Sequence, residues 1–269
     1  MRIARFSHAG DVSYGLVLAA DAQLAQSGEL MVAQLAGHPF GGSTQDIQLT
    51  GLRFPLAQVR LLAPILPSKV ICIGQNYADH VREMGGDPPP EPVIFLKPST
   101  AVCGPGDSIA RPQSLSERVD FEGELAVVIG RLGTQVPPER AFDVIFGYTC
   151  ANDVTARDLQ ARDGQWTRAK GFDTFCPLGP WIETDVEPAD LELTTRLNGD
   201  VRQNSRTSLL LHHVPALISY VSQVMTLLPG DVLLTGTPAG VGPMKAGDVV
   251  EVVVPGIGRL RNPAVDPAV

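Results

Sequence analysis

Short apolar runs separated by Gly, Pro, Asp and Ser fill most of the chain, a pattern of many strands joined by turns with few helices. Residues 1 to about 60 alternate segments such as Tyr14-Gly15-Leu16-Val17-Leu18 with turn residues and predict a small β-rich N-terminal unit. Pro64 and Pro67 then mark an extended connection. Placing the boundary there divides the chain into an N-terminal domain over 1–67 and a larger domain over 68–269. A strand over 69–74 runs into a short helix over 75–84, with Asn76 as its cap and Gly85-Gly86 as its stop. From Leu125 to position 129 the residues are apolar on both faces, as in a strand covered on both sides. A second apolar strand begins at 144 and ends at Asp153. Asn198-Gly199 predicts a type I′ hairpin turn, because both positions favour positive φ. Pro215 opens the clearest helix, whose Leu217, Ile218, Val221, Val224, Met225 and Leu228 form one stripe before Pro229-Gly230. The sum is an α+β chain, rich in strands.

At 269 residues the chain can bury a large core, and 44% hydrophobic against 19% charged residues is an ordinary globular balance. Twenty-nine acids against 21 bases give a formal charge of −8, which offers no electrostatic footprint for nucleic acid or an anionic membrane. A small-molecule substrate is the better default. No apolar run reaches the length of a membrane span and the first residues lack a signal-peptide core, so a cytoplasmic protein is expected. Cys72, Cys103, Cys150 and Cys176 form no Cys-x-x-Cys pair and read as buried thiols.

Chemistry gathers around a few polar positions. Glu122 and Glu124 open the run at 125–129 and, two apart on a strand, project the same way. Taken alone, such a pattern more often marks a strand that shows its acids to water. Buried together, two carboxylates call for a compensating cation. Asp153, at the end of the next strand, either completes a three-carboxylate set or caps a helical turn at Val154. An all-oxygen set suits Mg²⁺ or Mn²⁺ rather than Zn²⁺. His80 and Glu83 share a helix face, so the carboxylate can hold the imidazole in one tautomer and make it a better base; the pair equally fits an exposed helix. Gly85, Gly86 and the prolines beyond make this helix a candidate lid. Lys170, between Ala169 and Gly171, could approach an anionic ligand, but read alone it points into water. The glycine-rich loop at 235–242 could offer N–H groups and the Thr237 hydroxyl to a carboxylate; it matches neither the Walker nor the dinucleotide pattern.

Six motifs in order resemble the fumarylacetoacetate hydrolase family over roughly residues 61–265. They are Gly-Gln-Asn-Tyr-Ala-Asp-His-Val-Arg-Glu-Met at 74–84, Phe-Leu-Lys-Pro at 95–98, Phe-Glu-Gly-Glu-Leu at 121–125, Asn-Asp-Val-Thr-Ala-Arg-Asp at 152–158, Ala-Lys-Gly-Phe-Asp-Thr-Phe at 169–175 and Leu-Thr-Gly-Thr-Pro-Ala-Gly-Val-Gly at 234–242. The resemblance implies a mixed β-roll catalytic domain with a small N-terminal domain, assembled as a homodimer. It implies Glu122, Glu124 and Asp153 as ligands of Mg²⁺ or Mn²⁺, Lys170 as the substrate-facing lysine, and His80 with Glu83 as the lid dyad of the branch that cleaves acylpyruvates and decarboxylates oxaloacetate. Gln75, Tyr77, Gln160 and Thr237 are then the substrate contacts. The implied activity is metal-dependent cleavage of a C–C bond in a small 2-oxo acid through a pyruvate enolate. The alternatives are proton transfer of the 2-hydroxyhepta-2,4-diene-1,7-dioate isomerase type and, more remotely, a non-catalytic metal-stabilised binding protein. Where the acylpyruvate branch is expected to carry arginine, this chain has Gln75, which can hydrogen-bond a carboxylate but not neutralise it. The long N-terminal domain of the tyrosine-degrading hydrolase is also absent, so fumarylacetoacetate is not the expected substrate.

Overall fold

Strands dominate the structure, a computed structural model that describes residues 1–19, 30–40 and 47–267. In the first part lie β1 (Arg2–His8), β2 (Asp11–Ala19), β3 (Leu30–Leu35), β4 (Leu49–Pro55) and β5 (Arg60–Leu62). Then come β6 (Val70–Gly74), α1 (Ala78–Glu83), β7 (Val93–Lys97), β8 (Val102–Cys103), β9 (Ile109–Ala110), β10 (Val119–Phe121), β11 (Gly123–Ile129) and β12 (Ile145–Asn152). β13 (Thr155–Ala156), α2 (Arg157–Asp163), α3 (Thr167–Lys170) and β14 (Cys176–Glu183) follow. The chain closes with β15 (Glu192–Leu197), β16 (Asp200–Arg206), α4 (Val214–Val224), β17 (Val232–Leu234), β18 (Gly242–Pro243), β19 (Val249–Val254) and β20 (Gly258–Val265).

These strands form three sheets, two of them mixed and the smallest antiparallel. The largest runs β4-β3-β2-β1-β14-β12-β11-β17-β6-β7, with β5 beside β1 and β8 beside β14. A five-stranded sheet runs β16-β15-β19-β20-β9, and a three-stranded one runs β13-β10-β18. β6 runs parallel to β17 and β8 to β14, whereas the other neighbours in the large sheet are antiparallel. The strands of the N-terminal segment extend that sheet, since β1 pairs with β14 at Arg2↔Glu183.

β11 is the core strand, buried at every residue. Its alternation sorts two cores: Leu125, Val127 and Ile129 pack with Leu217, Ile218 and Val221 of α4 and with Val252 and Val254 of β19. Ala126 and Val128 face the other way, onto Val70, Cys72, Val232 and Leu234. An apolar side chain buried this way contributes roughly 1.5–3 kcal/mol, so a strand covered on both faces anchors its ends firmly. All four cysteines are buried within these layers. No helix among the described residues is long and apolar enough to cross a membrane.

Several expected details differ. The run at 119–129 is not one strand: it breaks at Glu122, where the chain leaves the three-stranded sheet and enters the large one. Asn76 does not cap α1, whose cap is Tyr77; its side-chain amide donates to the carbonyls of His212 (3.0 Å) and Thr235 (2.7 Å) and accepts from the His212 N–H at 2.8 Å. Asp153 starts no helical turn, because β13 follows it. α4 stops at Val224, so Val224 is 60% exposed and Leu228, beyond the helix, is 39% exposed; the apolar stripe ends at Val221 and the partly buried Met225. The Asn198-Gly199 turn is as expected, with φ of 54° and 91° between paired Leu197 and Asp200.

Candidate metal and substrate site

The break between β10 and β11 positions the site. Glu122 sits in it, its N–H donating to Asn152 Oδ1 at 2.9 Å and its carbonyl accepting from Asp153 N at 2.8 Å. Those bonds bring the end of β12 alongside. One carboxylate oxygen from each of Glu122, Glu124 and Asp153 lies within 4.8 Å of the others, and all three side chains are buried. Gly123 turns its missing side chain to the five-stranded sheet; a Cβ there would lie 1.9 Å from Thr195 Oγ1. Only glycine lets the two glutamates straddle that contact.

Cations surround two of the three acids. Lys170, at the end of α3, donates to Glu122 Oε2 at 2.8 Å and Asp153 Oδ2 at 2.7 Å. Lys97 Nζ lies 2.7 Å from Asp153 Oδ1 as an ion pair while donating to the Val154 carbonyl at 3.0 Å. Arg157 divides its guanidinium between Asp120 (3.0 Å), Glu122 (2.5 Å) and Gln160 (2.6 Å). Burial alone would push Glu122 up, but the charges of Lys170 and Arg157 hold its carboxyl well below the usual range. Burial likewise works against charge on Lys170, and Asp153 and Glu122 outweigh it, raising its value.

Glu124 is the exception. Its Oε2 accepts from Gly236 N at 2.6 Å, and among the described residues no lysine or arginine pairs with it. Burial, then repulsion from Asp153 and Glu122, pushes its carboxyl well above the usual range. A divalent cation fits here: three buried carboxylates converge, and one of them has no cationic side chain of its own. Hard oxygen donors of this kind suit Mg²⁺ or Mn²⁺.

The carboxylates open into a cavity of about 320 Å³. It gathers eight of the expected residues, His80, Lys170, Gln75, Gln160, Thr237 and the three acids. Lys170, which read alone points into water but by the resemblance faces the substrate, is 2% exposed, because the anions that hold it are also buried. His80 Nδ1 is 3.1 Å from Glu83 Oε2, and the other oxygen of Glu83 accepts from Gly240 N at 3.0 Å. Glu83 therefore stands behind the histidine, outside the cavity lining. Tyr77 does not line the cavity either; it is fully buried and its hydroxyl has no partner. The Thr237 hydroxyl donates to the Gly123 carbonyl at 2.9 Å and accepts from Gln203 at 2.8 Å. Its proton is thus already committed. Arg157, Phe95 and Trp166 line the cavity without having been singled out, and Lys97 supports it from behind. The signal for Arg157 was its place in the same motif as Asp153, four residues on.

Comparison with known proteins bears on the whole chain. A family profile described as fumarylacetoacetate (FAA) hydrolase C-terminal matches residues 69–265, and one described as Rv2993c-like, N-terminal, matches residues 1–64. The oxaloacetate tautomerase YisK of Bacillus subtilis is 43% identical over 229 residues, 80% of this chain and 76% of that one. A 2-hydroxyhepta-2,4-diene-1,7-dioate isomerase from Mycobacterium marinum has a crystal structure that superposes with a TM-score of 0.90 at 51% identity, over 100% of both chains. The fumarylpyruvate hydrolase from Pseudomonas aeruginosa, solved with Mn²⁺ and pyruvate, superposes with a TM-score of 0.72 at 36% identity, over 76% of this chain and 91% of that one. Given a profile match across most of the sequence and relatives of this identity, the chain belongs to the fumarylacetoacetate hydrolase family.

Proposed function

We propose that the chain is a divalent-metal-dependent enzyme that cleaves a C–C bond in a small 2-oxo acid by way of its enolate. The observation that carries this is the facing of His80, backed by Glu83, toward the same cavity as Lys170 and the three carboxylates. Glu122, Glu124 and Asp153 would hold Mg²⁺ or Mn²⁺, which when bound supplies Lewis-acid polarisation of the keto and carboxylate oxygens of the substrate. Lys170 brings a fixed positive charge to the oxygen on which negative charge develops. With Glu83 ionised, His80 carries its proton on Nδ1 and presents Nε2 as the base. That nitrogen takes a proton from water as the oxygen adds to the distal carbonyl of an acylpyruvate. The C3–C4 bond then breaks, its electron pair passes to the pyruvate enolate, and a proton returns to C3. Oxaloacetate would need no water, since loss of CO₂ leaves the same enolate.

A second reading is proton transfer alone, favoured by relatives named as an oxaloacetate tautomerase and a dienedioate isomerase. It uses the same acids, Lys170 and His80 but breaks no C–C bond. Stripping the protein with a chelator, restoring Mg²⁺ or Mn²⁺ and following pyruvate release from acylpyruvates and oxaloacetate separates the two. Metal-dependent release, corrected for decay with metal alone and abolished in Glu122→Ala, supports cleavage. Enol-to-keto absorbance change without pyruvate moves the assignment to the isomerase. We further propose a cytoplasmic homodimer, which sedimentation and cell fractionation test.

A further inference from the structure

The cavity lining combines charged and aromatic side chains, and every cation in it already has an anion. Lys170 is bonded to Glu122 and Asp153, Arg157 to Asp120 and Glu122, and His80 to Glu83. No further lysine or arginine among the described residues lines the space. The rest of the lining is built differently. The rings of Phe95 and Trp166 meet edge to face, with centroids 5.2 Å apart and planes at 73°. Ile73 and Met84 extend that wall. Lys170 Nζ lies 5.0 Å from the Phe95 ring centroid, so the apolar surface begins directly beside the charged centre. Trp166 is seated against Gly74, where a Cβ would come within 2.6 Å of the ring. The indole therefore occupies the place of a side chain at 74. Two neutral amides also line the cavity: Gln75, held at φ 58°, and Gln160, whose oxygen accepts from Arg157 and whose NH₂ is left to donate.

We infer that the substrate carries a single carboxylate and, at its far end, an uncharged apolar group such as an aryl ring, which Phe95 and Trp166 receive and for which Gln75 supplies no charge. This rests on the proposed 2-oxo acid chemistry and narrows it to acylpyruvates, leaving oxaloacetate, a diacid, as a poor substrate. One carboxylate can be met beside the charged side chains. A second would lose its water near Phe95 and Trp166 with no unpaired lysine or arginine in the lining to replace it, and an amide hydrogen bond does not make up that loss. An aryl group there gains burial and ring contacts instead. The inference sets this chain apart from the relatives named for diacids.

Binding decides it without turnover. Isothermal titration of the Mn²⁺-loaded protein would compare pyruvate, phenylpyruvate and 2-oxoglutarate, none of which has the 4-oxo group needed for cleavage. Phenylpyruvate should bind at least tenfold more tightly than 2-oxoglutarate. In Trp166→Ala that ratio should fall below threefold, and in Gln75→Arg the affinity for 2-oxoglutarate should rise at least tenfold, each variant being checked for a wild-type-like melt. Equal or tighter binding of 2-oxoglutarate to the wild type, or a ratio unmoved in both folded variants, overturns the inference while leaving the 2-oxo acid chemistry standing. Failure of all three acids to bind overturns the inference, and pyruvate release from acylpyruvates then decides separately whether the 2-oxo acid chemistry stands.

Discussion

Replacing Glu124 with Gln should stabilise the protein without metal and destabilise it with metal, a crossing that few other substitutions would produce. Glu124 is 2% exposed and its reactive oxygen lies within 4.8 Å of those of Glu122 and Asp153. Two full charges at that distance repel by about 3.5 kcal/mol at an effective dielectric of about 20. Proton uptake relieves part of this, because burial and the neighbouring acids raise the Glu124 carboxyl well above its ordinary 4.5. The sign follows from that rise. Above the ordinary value the unfolded chain releases this proton freely and the folded chain does not, so the group costs stability at neutral pH and ceases to do so below about 4.5. A glutamine keeps an oxygen for Gly236 N and carries no charge. Allowing for the weaker hydrogen bond, the variant should gain about 1–2 kcal/mol in chelator, or roughly 2–8 °C in melting temperature for a chain of this size. In Mn²⁺ at about 100 times its Kd the wild type should gain about 2.7 kcal/mol, most of which the variant, short of one ligand, should lose. Scanning calorimetry of both proteins in EDTA and in Mn²⁺, near pH 7.5 and again near pH 4, reads all four quantities. A variant that melts below the wild type in EDTA refutes the cost assigned to the Glu124 charge, and one that gains as much from Mn²⁺ refutes its place among the metal ligands.

Glu83→Gln removes the carboxylate behind His80, so acylpyruvate hydrolysis should fall about 10–100-fold more than oxaloacetate decarboxylation; equal losses would sink the role given to the pair. Lys97→Met leaves Asp153 with one cation instead of two in a buried setting and should cost about 3–5 kcal/mol by urea denaturation, with a loss below about 1 kcal/mol counting against the buried ion pair. Burial pushes the Cys150 and Cys176 thiols up to about 12 from 9.0, so above pH 9 the unfolded chain sheds protons that the folded chain keeps. Stability should therefore decline between about pH 9 and 12, and a thiol reagent near pH 8 should find no reactive cysteine until denaturant is added. Rapid labelling of the native protein would contradict the packing around these thiols.

The strand-rich class, the double-faced core strand and the type I′ turn were legible because each is written locally, in alternation or in paired turn residues; the three carboxylates were visible as acids at the ends of apolar runs, but only the family resemblance drew them into one set. What escaped depends on distant partners. Lys170 between two small residues looks like any surface lysine, and its burial follows from Glu122 and Asp153, neither of them near it in sequence. Arg157 answers Asp120 and Glu122 in the same way. Glu122 itself was read inside a continuous strand, since nothing local reports that the chain changes sheets there. Asn76 has the composition of a cap, but the carbonyls of His212 and Thr235 offer its amide better partners. Val224 falls on the exposed last turn of α4, and Leu228 kept the helical spacing after the helix had ended.

One carboxylate serves two masters. Glu83 gives one oxygen to His80 and the other to the backbone of Gly240, so the helix and the glycine loop are tied through the same group that orients the imidazole. Any motion that parts the two segments must break one of those ties and free the carboxylate to turn away from the histidine. The imidazole thus keeps its orientation only as long as helix and loop stay together.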